Sequence, residues 1–175
     1  VNEFDLKIAW LAGLWDGEGS IGISGTKDRM AANAQMCMTC ERTIKTAIDT
    51  MKELGIRAIG YTYQERDTVK HRDACYIRVN RMNDIRILAS EMVKYSVTKL
   101  EHWKIISEFV TSRLEHARLD DGGRVITGGV TVGKTSWKPY TERERNLQIR
   151  ISEINARGPS GRQRRTTSEY GRMDT

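Results

Sequence analysis

Two carboxylates and two glycines alternate in Asp16-Gly17-Glu18-Gly19, at the end of a largely apolar stretch that begins at Leu6. Hard oxygen donors grouped in this way suit a divalent cation, since Mg²⁺ takes carboxylates and backbone carbonyls while keeping several waters. The run from Asp5 through Trp15 reads as a helix. Its end is a poor place for acids, because the last carbonyls are unpaired and the helix dipole is negative there. A bound cation removes that misfit. A plain polar terminus leading into a glycine turn is the other reading, and the four residues alone leave both open.

The same helix has a second peculiarity. Ala9, Gly13 and Gly17 fall four residues apart, and such positions share a face, so one stripe carries almost no side chains. Glycine inside a helix costs about 1 kcal/mol relative to alanine, which calls for a compensating contact. Close approach of a partner backbone supplies one, while Ile8, Leu11 and Trp15 can fill a core on another side.

The nonapeptide Leu11 to Gly19 resembles the signature helix of the LAGLIDADG homing endonucleases. Leu11, Ala12, Gly13, Leu14, Asp16 and Gly19 match the letters of that name, with Trp15 in place of isoleucine, Gly17 of alanine and Glu18 of the second aspartate. Trp15 is bulkier than the usual residue and has to find room in the core. The likeness is strong over residues 6 to 19 and continues by pattern to about residue 118. It implies that Glu18 binds the catalytic metal, with the Gly17 carbonyl as a second ligand. It also implies Mg²⁺ as the cofactor, with Mn²⁺ able to substitute.

The elements that must position this acidic tip follow from periodicity. Ser20 to Ser24 alternates small or polar with apolar residues, as a half-buried strand does, Thr26 to Arg29 makes a turn, and Ala32 to Thr39 returns. Glu41 to Leu54 has Ile44, Ile48, Met51 and Leu54 at helical spacing and stops at Gly55. A second hairpin runs from Ile56 to about Glu65 and from His71 to Val79, with its turn around Asp67. Helices are expected over Asn83 to Tyr95 and Leu100 to Leu119. The fold class is therefore α+β. The resemblance makes it an αββαββα domain over 1–119, with a four-stranded antiparallel saddle-shaped sheet and helices on one face.

The other sheet face is left open, and its residues are of the kinds that read base edges or phosphates in a major groove. Ser24, Thr26, Asn33, Gln35, Gln64, Arg66, Arg72 and Arg78 are the candidates; a plain hydrophilic surface would look the same. Parity is clear for the fourth strand, where Cys75, Ile77 and Val79 point inward. It is open for the third, where Tyr61 and Tyr63 compete with Thr62 and Gln64 for the outward face. Tyr95 to Leu100 resembles the family's Thr-Lys run at the start of its last core helix. That likeness makes Lys99 the candidate to polarise the reacting phosphate or orient the attacking water, although a solvated lysine in a first helical turn would also fit. A further polar assistant is expected near Thr39, Cys40 and Glu41.

Stoichiometry follows from counting. In the family, chains with two motifs act as monomers and chains with one pair across a two-fold axis. The motif occurs once here, so the expectation is a homodimer with Ala9, Gly13, Asp16 and Gly17 in the interface and two Glu18 side chains at the axis. Such symmetry calls for a pseudo-palindromic double-stranded DNA site. The resemblance further implies cuts across the minor groove that leave short 3′ overhangs.

Composition agrees. The chain has 175 residues, enough for one well-buried domain, and a net charge of +6. Residues 1–120 hold 18 Lys/Arg against 17 Asp/Glu, and residues 121–175 hold 11 against 6, so the basic excess that favours nucleic acid sits toward the C-terminus. No apolar run approaches a membrane span and no signal peptide opens the chain, so the expected setting is intracellular, on DNA, with no membrane partner. The Val1 start suits a GUG codon of a bacterial or phage gene, or an edited sequence. Three cysteines argue against a disulfide framework. Cys37 and Cys40 form a Cys-x-x-Cys that fits a strand end better than zinc.

Gly128 to Thr135 satisfies the phosphate-loop pattern, but Pro139 and the short remainder leave no room for its helix and parallel sheet. No nucleotide cofactor is expected, and 120–140 reads as a glycine-rich linker. Thr141-Glu142-Arg143-Glu144 opens a capped helix over 141–157 that docks on the domain or on flanking DNA. Residues 158–175 form a basic tail without hydrophobic period, expected to be disordered. Two function classes stand: a site-specific DNA endonuclease, and a catalytically idle nucleic-acid-binding relative such as an intron maturase or a regulator.

Overall fold

The computed structural model describes residues 2–26, 29–57, 59–64, 73–115 and 140–157. The elements run α1 (Glu3–Glu18), β1 (Gly19–Thr26), β2 (Arg29–Met38), α2 (Glu41–Glu53), β3 (Ile59–Gln64), β4 (Ala74–Val79), α3 (Met82–Tyr95), α4 (Leu100–Glu115) and α5 (Glu142–Arg157). Arg66, Arg72, Lys27 and Asp28 of the expected first turn, the turn expected around Asp67, the phosphate-loop pattern and the expected basic tail lie outside the described residues, as does the linker up to residue 139.

The four strands form one antiparallel sheet in the order β1-β2-β4-β3. Alternation sorts its two faces. Ile21, Ile23, Met30, Ala32, Ala34, Met36, Cys75, Ile77 and Val79 point to the helices and are buried, joined there by Trp15, Ile44, Met51, Leu88, Trp103 and Phe109. Between them, Ser20, Ser24, Thr26, Gln35, Cys37 and Arg78 are exposed on the opposite face. Among the described residues no helix is long and apolar enough to cross a membrane.

Local chemistry sets the element ends. Asn2 caps α1, its Oδ1 accepting the Asp5 N–H at 2.8 Å, and Glu3 and Asp5 complement the positive end of the dipole. Helix α2 stops in a Schellman motif. Gly55 has φ +85°, its N–H reaches the Lys52 carbonyl at 2.9 Å, and the Ile56 N–H reaches Met51 at 3.1 Å. At the start of α5, Thr141 and Glu144 form a capping box. The Thr141 N–H donates to Glu144 Oε2 at 2.8 Å, and the Glu144 N–H donates to Thr141 Oγ1 at 3.2 Å.

Trp15 finds its room under the sheet. It is fully buried and packs edge-on against Trp103 with ring centroids 5.6 Å apart. Gly19 makes this possible, since a Cβ there would press on the indole and lie 2.6 Å from the Trp15 carbonyl oxygen.

Helix α5 docks on α4 and along the free edge of β1. Leu147 and Ile151 are buried. Gln148 Nε2 donates to the Gly25 carbonyl at 2.9 Å and Asn155 Nδ2 to the Ile21 carbonyl at 3.1 Å. Side-chain amides thus occupy carbonyls of an edge strand that would otherwise offer a template for pairing.

Candidate nucleic-acid interface and metal-binding tip

The end of α1 and the start of α4 meet head to tail, and each closes the other. The Val97 and Thr98 N–H groups donate to Asp16 Oδ2 at 2.6 and 3.1 Å. Ser96 Oγ and the Lys99 N–H, the latter at 3.0 Å, donate to Oδ1. In return Lys99 Nζ donates to the Trp15 carbonyl at 3.0 Å and the Asp16 carbonyl at 2.6 Å. An acid at the negative end of α1 is thereby held by the amides of residues 97–99, which lead into α4. Burial alone would push the Asp16 carboxyl up, but these hydrogen bonds together hold its pKa below the ordinary value. Burial lowers the pKa of Lys99, opposed by the Asp16 and Glu18 carboxylates.

Asp16, expected beside a partner helix, therefore turns its carboxylate toward α4. Glu18 differs. It ends α1 exposed, next to an exposed Gly17. Among the described residues no three His, Cys, Asp or Glu side chains gather as a metal cluster, so one chain offers Glu18 and the backbone carbonyls beside it. That set suits Mg²⁺, which is held by one or two carboxylates and substrate oxygens more often than by a full protein cage.

The stripe on α1 faces outward. Gly13 and Gly17 are exposed and Ala9 is half-buried. A Cβ added at Gly13 or Gly17 would meet nothing within 4 Å among the described residues. Leu6 and Trp10 border the stripe at 59% and 40% exposure. Both sides of α1 are therefore apolar, and the chain's own core covers one of them.

On the open sheet face the sequence-derived set comes together in two pairs. Asn33 Nδ2 donates to Ser24 Oγ at 3.0 Å, and Arg78 Nη2 donates to Gln35 Oε1 at 3.0 Å. Thr26 sits at the exposed end of β1. The register pairs Gln64 with Ala74 and Thr62 with Tyr76, which settles the third strand: Thr62 and Gln64 occupy open-face positions, and Tyr61 and Tyr63 belong to the helix side. Tyr61 donates to Glu41 Oε1 at 3.1 Å and Tyr63 to Asp73 at 2.6 Å. Burial first, then its contacts with Cys75 and Glu41, pushes the Tyr61 pKa well up.

At the α2 start, two of the expected trio have local partners. Glu41 also pairs with Lys45 at 2.8 Å, and Cys40 Sγ accepts from Thr43 Oγ1 at 3.1 Å. Cys37 and Cys75 lie on opposite sheet faces, and all three thiols are free.

Sequence reasoning missed three residues. Ser20 shares the open face with Ser24 and is paired in register with Gln35, a position that strand parity could have supplied. His102 and Asn155 needed tertiary structure. Asn155 Oδ1 lies 3.2 Å from His102 Nε2, one turn beyond Lys99. Burial lowers the His102 pKa, partly offset by the Asn155 hydrogen bond.

No family model matches the chain, and no curated protein does. Solved structures do. An archaeal intron-encoded homing endonuclease, I-Vdi141I, complexed with DNA, superposes with a TM-score of 0.56 at 17% identity, covering 86% of this chain and 85% of its own. The homing endonuclease I-CvuI, in complex with a DNA target, gives 0.47 at 20% identity over 86% of this chain and 98% of its own. The LAGLIDADG homing endonuclease I-GzeII, in complex with its DNA target, gives 0.48 at 16% identity, covering 85% of this chain and 43% of its own. With the archaeal enzyme's superposition extending over most of both chains, this chain has the LAGLIDADG homing-endonuclease fold and carries the signature helix once.

Proposed function

We propose that the chain is a site-specific DNA endonuclease that acts as a homodimer, cutting both strands of a long pseudo-palindromic site with Mg²⁺, or with Mn²⁺ in its place. The observation that carries this reading is the end of α1, where exposed Glu18 stands beside an outward glycine stripe and within electrostatic reach of Lys99. The DNA-bound state of I-Vdi141I supports the substrate class.

When bound, the metal supplies an activated water and stabilises the charge on the attacking and leaving oxygens. Glu18 and the Gly17 carbonyl hold it. Lys99 uses two of its three N–H donors on α1 carbonyls, which leaves one for a phosphate oxygen and places its charge where negative charge develops. Two chains related by a two-fold axis through the α1 stripes bring two Glu18 side chains together, one for each strand.

Ala9, Gly13, Gly17 and the adjoining Asp16 backbone form the proposed contact. Gly13→Leu is expected to yield a folded monomer by light scattering at micromolar concentration, because the added side chain has open space within one chain but fills the gap between two. A dimer of unchanged stability in this variant would remove α1 from the interface.

The open face reads the DNA through Ser24, Thr26, Asn33, Gln35, Gln64 and Arg78, with Arg66 and Arg72 extending it. Gln35 holds the Arg78 guanidinium in place for a guanine edge. Arg78→Ala should cost about 1–3 kcal/mol in specific binding and relax preference at one base pair of each half-site, measured by competition among single-base site variants. Uniform weakening across all of them would make Arg78 a phosphate contact instead.

The function itself is tested by selecting bound duplexes from a random library and then adding Mg²⁺. The expected result is a two-fold-related site that is cut on both strands. Specific binding without cuts under any Mg²⁺ or Mn²⁺ condition would point to an idle binding relative.

A further inference from the structure

We infer that Asp16 is a positioning residue: its carboxylate fixes the start of α4 against the end of α1 and so sets where Lys99 stands relative to Glu18. This rests on the endonuclease reading and goes beyond it by removing Asp16 from the candidate metal ligands. Four donors meet the carboxylate, two on each oxygen: Ser96 Oγ and the Lys99 N–H on Oδ1, the Val97 and Thr98 N–H groups on Oδ2. A carboxylate offers about four lone-pair sites, so this set is full. A cation brought to either oxygen would displace donors from residues 96–99, the segment that leads into α4.

The coupling runs in both directions. Thr98 Oγ1 donates to the Asp16 carbonyl at 3.2 Å, and the Lys99 ammonium closes the Trp15 and Asp16 carbonyls. Residues 96–99 cannot shift without breaking bonds to residues 15 and 16, and Glu18 lies two positions further along the same helix. A neutral amide cannot take over this role. Asparagine would keep one oxygen and turn an NH₂ toward at least one N–H donor, the Lys99 amide or the Val97 and Thr98 amides, so Asp16→Asn behaves as a disruption.

The test combines single-turnover cleavage with Mn²⁺-induced broadening of the Val97, Thr98 and Lys99 amide signals in the full chain. In wild type, Mn²⁺ broadens these signals, and Glu18→Gln abolishes the effect. In Asp16→Asn the broadening at these amides falls. Cleavage at saturating DNA drops roughly 100-fold with KM for DNA unchanged. The Mg²⁺ half-saturation stays within about two-fold, and in a Lys99→Met background Asp16→Asn adds no more than about two-fold. Ser96→Ala, which removes one donor and keeps the carboxylate, shifts the same quantities by less and serves if Asp16→Asn does not fold. A rise of about ten-fold or more in Mg²⁺ half-saturation makes Asp16 a ligand and overturns the inference, as does full cleavage per folded molecule. If wild type cuts no DNA, the endonuclease reading fails, and the inference then stands if Asp16→Asn reduces the broadening at saturating Mn²⁺ with the Mn²⁺ half-saturation unchanged, and falls if that half-saturation rises about ten-fold.

Discussion

Replacement of Glu18 by glutamine is expected to lower DNA cleavage by roughly 10³-fold at saturating substrate while leaving DNA affinity and oligomeric state unchanged. The substitution is nearly isosteric and lies on an exposed helix end, so it removes a charge without disturbing a packed contact. Its effect is expected on kcat, because the metal that Glu18 is proposed to hold would act on charge that develops in the transition state. Single-turnover rates beside binding isotherms separate the two. A variant that cuts at near wild-type rate would move the metal away from this tip.

The second large effect concerns the anchor of α5. Glu144 and Arg113 are 0% and 2% exposed, their charged atoms 3.3 Å apart. Glu144 also accepts from Ser112 Oγ at 3.0 Å and completes the Thr141 capping box, while the Arg113 guanidinium stacks 4.1 Å above the Tyr140 ring. Glu144→Ala strips a buried arginine of this carboxylate and is expected to destabilise the protein by about 3–5 kcal/mol. The double replacement Arg113→Met with Glu144→Leu should recover much of that, since apolar residues of similar volume replace buried ion pairs at little cost. Urea unfolding checks both. Equal losses in the single and double variants would show that packing, and not the lost ion pair, dominates.

The element order was legible because most segments are amphipathic with a clean period. Ile44, Met51 and Ile85, Leu88, Met92 stand at helical spacing and are buried, and Cys75, Ile77, Val79 alternate as a strand with one wet face. Strand β3 was legible as a strand, but its facing was not. It is an edge strand, and Tyr61 and Tyr63, although on the helix side, remain 40% and 49% exposed. Hydropathy therefore could not tell which side they take.

The acidic tip was read correctly as an electrostatic misfit for α1, yet the resolution differs between its two acids. For Asp16 it is the start of α4, some 80 residues away in sequence, a pairing that no local pattern encodes. Glu18 stays exposed at the motif's end and is the proposed residue for metal. Gly19 reads as a turn in the sequence but is extended and opens β1, and its need to clear the Trp15 ring appears only once the indole is folded beneath the sheet. The edge carbonyls held by Gln148 and Asn155 were beyond sequence for the same reason. Helical period gave the side of α5 that is buried and not the element it lies against.

The most direct measurement is the fate of a supercoiled plasmid carrying the selected site, incubated with Mg²⁺ and wild-type dimer, Glu18→Gln dimer, or the mixed dimer of the two. The account predicts linear product from the wild type, nicked circles from the mixed dimer and intact plasmid from the Glu18→Gln dimer, because each Glu18 serves one strand. Plasmid that stays supercoiled with bound wild-type protein would contradict it.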